Sequence, residues 1–274
     1  MSQAVSPPFE PIADGVFVRR HDRLRLTTGL IVGATHCLVV DTRETAAQAR
    51  DLQAAVRGVT GLPWVVVNTH GHHDHCFGNA SFLPTDIWGH TGCARMLREH
   101  GEAQRRRWAG DARDRGDAVL AGQLDAVVIT PPTHTLATDA HLDLGGVTVR
   151  LRHLGRGHTD HDIIVEVPER AVFAGDLVEE GNPPDFGDAF PLDWPDTVAA
   201  LASVAGDLPV VPGHGAVFDR SAVADQQALL ATVAAVARSA HAAGDPIGVA
   251  VRELPMLPTE VAEVALRRAV SPAV

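Results

Sequence analysis

Four histidines and an aspartate fall within six consecutive positions of this chain, in the run Thr69-His-Gly-His-His-Asp-His-Cys76. Imidazoles and a carboxylate crowded this closely make poor core material, and once charged the imidazoles repel one another. A multivalent cation reverses that cost, because neutral His and ionised Asp are the ligands that borderline divalent metals prefer. The spacing His70-x-His72-x-Asp74-His75 could supply ligands to two adjacent metals, so metal-dependent chemistry is the leading expectation. Cys76 follows the run directly but is not needed to complete it.

Three later segments share one design. Val147–Leu154 leads into Gly155-Arg156-Gly157-His158-Thr159-Asp160, Ala171–Ala174 into Gly175-Asp176, and Val210–Val211 into Pro212-Gly213-His214-Gly215. Each time a β-like run ends in a Gly-containing turn that presents one His or Asp, and Gly lets the backbone bend sharply there. Taken singly, such a His reads as a turn histidine and such an Asp as a cap. Sites in α/β folds gather at strand ends, so four such positions in one chain point to convergence on one spot.

The elements that must position these residues alternate along the chain. β-like runs cover 15–19, 28–32 and 37–40, and a helical stretch over 44–59 follows Thr42 as its cap. Residues 64–68 form a short β-branched run, read as a buried strand, with the His/Asp cluster in the loop after it. Residues 92–127 read as a charged, solvated helix pair, with a lid or subunit contact as the lesser reading. A second β-rich stretch begins near His141 and includes 147–153, 163–167, 171–174 and 209–211. Helices follow near 196–205, over 221–243 and over 258–270. This alternation in two similar halves predicts an α/β fold, with sheets sandwiched between helical layers.

Composition narrows the chemistry. The chain has 274 residues, a net charge of −11 and 23 basic residues, all arginine. An acidic chain lacks the basic footprint of a nucleic-acid protein. With neither lysine nor tyrosine, no Schiff base or phenolic acid is available, and only arginine can clamp an anionic substrate group. Cys37, Cys76 and Cys93 show no disulfide-framework spacing and read as buried thiols of a reducing compartment. The segment 1–11 does not look like a secretory signal, and no apolar run approaches the roughly 20 residues that span a bilayer. A cytoplasmic enzyme acting on a small molecule, without a nucleic-acid or membrane partner, is therefore expected; oligomeric state is not legible.

The set His70-x-His72-x-Asp74-His75, His158, Asp176 and His214 resembles that of the metallo-β-lactamase-fold hydrolase superfamily over about residues 12–220. The resemblance implies a four-layer αβ/βα sandwich, with residues 221–274 as a C-terminal helical extension packed on the same domain. It also implies one metal on His70, His72 and His158, a second on Asp74, His75 and His214, and Asp176 bridging them. His73 occupies a variable position of the motif and is expected to point away from the metals. Asp160 and His161 are candidate hydrogen-bond partners of the ligating imidazoles.

Two divalent ions, expected to be Zn2+ with Fe or Mn as alternatives, would lower the pKa of water from near 16 to about 7 and polarise a carbonyl. Asp74 would orient the nucleophile and pass a proton to the leaving group. The implied reaction is hydrolysis of an ester, thioester, lactone or amide-type bond. Zinc β-lactamases of this family resemble the motif but carry Cys where Asp176 stands, so Asp176 is closer to the thioesterase and lactonase branches. An alternative is a persulfide dioxygenase-like oxidoreductase with a single iron on His70, His158 and Asp176; a nuclease fits the acidic chain less well. The loop 179–194, with Asn182, Pro183, Pro184, Phe186, Phe190 and Trp194, reads either as the wall of an apolar pocket or as a plain surface loop.

Overall fold

The computed structural model describes residues 8–270. Residues 1–7, part of the segment read above as lacking a signal, and residues 271–274 of the C-terminal extension lie outside the described residues. The first half contains β1 (Glu10–Ala13), β2 (Val16–Arg20), β3 (Thr27–Val32), β4 (Cys37–Val40), α1 (Ala46–Val59), β5 (Trp64–Val67) and the one-turn α2 (His73–Cys76). It continues through β6 (Ile87–His90), α3 (Thr91–Asp114), α4 (Ala118–Asp125) and β7 (His134–Leu136). The second half runs β8 (Asp139–Asp143), β9 (Thr148–Arg152), β10 (Ile164–Val167), β11 (Ala171–Gly175), α5 (Trp194–Ala205), β12 (Val210–Pro212), α6 (Arg220–Ala243), α7 (Ile247–Ala250) and α8 (Thr259–Val270).

β1 to β7 form one sheet in sequential order, antiparallel as far as β4 and parallel from β4 to β7. The other sheet has the order β12-β11-β10-β9-β8, with only β11 and β12 parallel. The side-chain period of two sorts residues between layers. In β4, Leu38 and Val40 face the core between the sheets, whereas Cys37 and Val39 face α1. In β11, Ala171 and Phe173 face that central core, whereas Val172 and Ala174 face α5, α6 and α8. Apolar residues on both faces explain why these strands read as continuous β-branched runs. The result is a four-layer α/β sandwich. Leu52 and Val56 of α1 are fully buried against the first sheet, and truncating such a leucine to alanine costs about 2–5 kcal/mol.

Local chemistry sets the helix ends. Thr45, not Thr42, caps α1 by accepting from the Gln48 amide at 3.3 Å. Thr42 lies three residues before that cap, with its hydroxyl turned to the His75 carbonyl at 3.2 Å and Asn79 Oδ1 at 2.9 Å. Asp219 caps α6, and Gly244 ends it in the left-handed conformation that glycine adopts without strain. The stretch 92–127 is two helices, α3 and α4, packed on each other around Leu97, Ala109, Ala112, Leu120 and Leu124. No helix among the described residues is long and apolar enough to cross a membrane.

Candidate metal centre

The residues picked out at strand ends meet in one place. β5 delivers His70 and His72, α2 delivers Asp74 and His75, the turn after β9 delivers His158, and the turns after β11 and β12 deliver Asp176 and His214. Their donor atoms form two groups, His70, His72, His158 and Asp176 in one and Asp74, His75 and His214 in the other, each with its ligand atoms within 4.8 Å of one another. The Asp176 carboxylate lies between them. Its Oδ2 is 3.6 Å from Nε2 of His70 and of His158 and 3.3 Å from His214 Nε2, and its Oδ1 is 3.3 Å from His75 Nε2. The approach is so close that a Cβ at residue 213 would fall 1.8 Å from Asp176 Oδ1, which is why glycine stands there.

Partners on the far side of each ring decide which nitrogen faces inward. Asp41 accepts from the Thr69 amide at 2.8 Å, from the Thr69 hydroxyl at 2.9 Å and from His75 Nδ1 at 2.8 Å. Because the Thr69 proton goes to Asp41, Thr69 Oγ1 accepts from His70 Nδ1 at 3.1 Å. His214 Nδ1 donates to the Leu24 carbonyl at 2.7 Å. In their neutral form these three rings therefore present Nε2 as the lone-pair nitrogen toward Asp176. His72 is reversed: its Nε2 meets Asp188 Oδ2 at 3.1 Å and its Nδ1 lies 2.9 Å from His158 Nε2.

Charge in the centre is unbalanced. Burial opposes ionisation, yet His75 and His214 hold the Asp176 carboxyl well below the usual carboxylate range, as His73 and His75 do for Asp74. Burial also opposes charge on His214, but Asp176 and Asp74 carry its imidazole up to about 12. His75 rises well above its ordinary value against the same burial, under Asp176, Asp74 and Asp41. His70 goes the other way: burial, then the neighbouring His75, keeps it well below. The buried His70 Nε2 and Asp176 Oδ1 have no hydrogen-bond partner. Imidazoles that can aim Nε2 at buried carboxylates form a donor set that divalent cations satisfy, displacing the ring protons, so the residues fit the metals expected of them.

Several expectations change. Asp160 does not reach His158; it pairs with His161 Nδ1 at 2.5 Å and Arg95 at 2.8 Å. The cause is Asp162, whose Oδ2 accepts from the Thr159 amide at 2.6 Å and turns residue 160 toward α3. His161 instead braces the ligand turn, its Nε2 accepting from the Gly71 amide at 3.2 Å. His73 joins neither group but is not idle. Its ring is buried, stacked on Trp108 at 4.0 Å between centroids, with Nδ1 3.2 Å from Asp74 Oδ1 and Nε2 3.2 Å from Glu44 Oε1. Cys76 is buried outside both groups, its thiol donating to the His72 carbonyl.

A cleft of about 740 Å3 opens over Asp74, Asp176 and His214. The loop 179–194 does wall it, but with polar residues: Glu179, Asn182, Asp185 and Asp188 face the cleft. The apolar side chains expected there are elsewhere, Phe186 and Trp194 in the core beside α5 and α6 and Phe190 under the guanidiniums of Arg156 and Arg268. Gln104, Arg107 and Trp108 of α3 also line the cleft, so one helix of the charged pair borders the site. Sequence reading missed Asp41, Glu44 and Asp188. Asp41 had a signal, since it too ends a β-run; the others had none.

The model of the metallo-beta-lactamase superfamily matches residues 23–229. The chain belongs to that superfamily. "Metallo-beta-lactamase type 2" of Bacillus cereus is 33% identical over 94 residues, and the Bacillus sp. (strain 170) protein of the same name is 31% identical over 94 residues. The matched segment is 32% of this chain and spans 37% of the length of each of these curated relatives. Among solved structures of the superfamily, a metallo-beta-lactamase from Pontibacter korlensis superposes with a TM-score of 0.66 at 19% identity, covering 81% of this chain and 98% of that one. FIM-1 from Pseudomonas aeruginosa, in its mono-zinc form, gives 0.62 at 21% identity over 85% and 99%. At these identities the structures establish the shared fold.

Proposed function

We propose that the protein is a dinuclear-metal hydrolase, with zinc as the metal, that cleaves an ester, thioester, lactone or amide-type bond of a small molecule. One observation carries this reading: two donor groups flank the Asp176 carboxylate, which belongs to the first and lies 3.3 Å from His75 Nε2 and His214 Nε2 of the second. Bound there, zinc supplies Lewis acidity that acidifies water and polarises a carbonyl. His70, His72, His158 and Asp176 would hold one ion; Asp74, His75 and His214, with Asp176 between, the other. A one-iron oxygenase of the same family would bind its metal through His70, His158 and Asp176, so the number and kind of metal bound separate the two readings.

The chain's own groups complete the chemistry. Asp74 is held by His73 at Oδ1 and meets His214 Nε2 at 3.3 Å through Oδ2. From there its carboxylate takes a proton from the attacking water and returns it to the leaving group. The ring of Trp108 offers the substrate an apolar face, while Gln104, Asn182 and Arg107 offer polar contacts. The net charge of −11 supports a small-molecule substrate over nucleic acid. Three free, buried cysteines suit a reducing compartment such as the cytoplasm.

The test is metal quantification on purified protein, coupled to lactone, thioester, β-lactam and phosphodiester substrates. About two zinc ions per chain with turnover of an acyl substrate is the expected result. One iron per chain with oxygen consumption would overturn it.

A further inference from the structure

We infer that Asp188 is the positioning residue for the metal-facing edge of His72, and that the last helix, through Arg268, holds Asp188 in place. This rests on the dinuclear reading above. It assigns a role to a loop residue and to a helix lying beyond the residues the family model matches.

A neutral imidazole carries one N–H, so the acceptor on one nitrogen decides which nitrogen keeps its lone pair. Nδ1 of His72 lies 2.9 Å from His158 Nε2, on the side of the donor group, and Nε2 lies 3.1 Å from Asp188 Oδ2. Asp188 thus does for His72 what Asp41 does for His75, fixing the tautomer and the rotation of the ring. The two carboxylates differ in how they are held. Asp41 is buried at the end of β4, whereas the Asp188 side chain is 53% exposed, on a segment without regular structure.

Such a segment needs an anchor to hold a carboxylate against one imidazole. Arg268 of α8 provides it, donating through Nη2 to the Asp188 carbonyl at 2.9 Å and through Nε to the Ala189 carbonyl at 3.2 Å. Phe190 lies under Arg156 and Arg268, 4.7 and 5.9 Å from ring centroid to guanidinium carbon. The buried Phe186 and Ala189 plant the segment in the core that α8 shares with α5 and α6. A contact path therefore runs from Arg268 to the backbone of Asp188, to its carboxylate, to His72.

The test compares D188A, D188N, R268A and R268K with the wild type by two readouts. In metal-free protein, at a pH high enough to keep the His72 ring neutral, long-range 1H–15N spectra should show its one proton fixed on Nε2, and D188A should lose that preference. In zinc titration, D188A should weaken one of the two sites by about 10- to 100-fold and spare the other. D188N, whose amide oxygen still accepts from Nε2–H, should retain most of the affinity. R268A should fall in the same direction as D188A, and the double variant D188A/R268A should be no worse than D188A alone. Equal weakening of both sites, additive losses, or wild-type affinity in D188A would overturn the proposal. Should R268A disturb α8, D188A and D188N leave that helix untouched and still decide. A wild-type protein that takes up no zinc would refute the dinuclear reading instead, and the ring-proton measurement would then decide the role of Asp188.

Discussion

Nδ1 of His75 lies 2.8 Å from Asp41 Oδ2, and that one contact joins the end of β4 to the centre of the donor cluster. Asp41 sits at φ 64, a left-handed conformation that asparagine also tolerates. Asp41→Asn therefore removes the charge while preserving the backbone. Zinc affinity should fall by about 10- to 100-fold, measured by competition with a chromophoric chelator. Wild-type affinity would show that the carboxylate charge is not what holds His75.

Asp74→Asn keeps the shape of the side chain but removes its basicity. Turnover should drop by about 10²- to 10⁴-fold, the range for a lost general base. Asp176→Ala removes the shared carboxylate and should leave the folded protein without turnover and with less than two zinc ions by mass spectrometry. Full activity in a folded Asp176→Ala protein would end the two-metal account.

His73→Ala is a sharper probe than its variable place in the motif suggests. The substitution strips the stacking partner from Trp108 and leaves the buried Glu44 with Arg23, whose Nε is 2.5 Å away, and Gln48. Stability should fall by about 1–3 kcal/mol, and kcat should fall through loosened Asp74 while zinc content stays at wild type. Urea unfolding and steady-state kinetics on one preparation check both.

His21 gives a pH signature separate from the metal centre. Burial first, then Arg43 and Arg19, pushes its pKa down to about 2, and its Nε2 contacts Thr28 Oγ1 at 3.0 Å. The folded ring stays neutral where the unfolded one charges below about 6.5. Its contribution is thus complete above pH 6.5 and is lost as pH falls from there toward 2, at about 1.4 kcal/mol per pH unit. His21→Gln should flatten this part of the stability curve. Equal slopes for wild type and variant between pH 7 and 5 would refute it.

How much was legible follows from where each signal lay. His70 and His72 lie in the turn after β5 and Asp74 and His75 on the one-turn α2, so the cluster showed in local pattern; His158, Asp176 and His214, each in a turn after a later β-run, read singly as turn residues and were joined to it by the resemblance. β11 showed itself as a short apolar run and α1 by helical composition, whereas β7, three residues long with only Leu136 buried, carries too little pattern to read. Asp188 and Glu44 act through contacts 116 and 29 residues away along the chain, and no spacing rule reaches that far. Phe186 and Trp194 misled because an apolar residue in a loop can face the core as readily as a substrate.

Trp108 and Arg107 reach the cleft from a hairpin of helices that connects two neighbouring strands and carries its own small core. None of the seven donor residues belongs to it. On the proposed function, part of the cleft surface that a substrate would meet thus stands on an element apart from the donors. Randomising Gln104 and Arg107 while keeping Trp108, which stacks on His73, offers a route to new selectivity in which the seven donors are inherited unchanged.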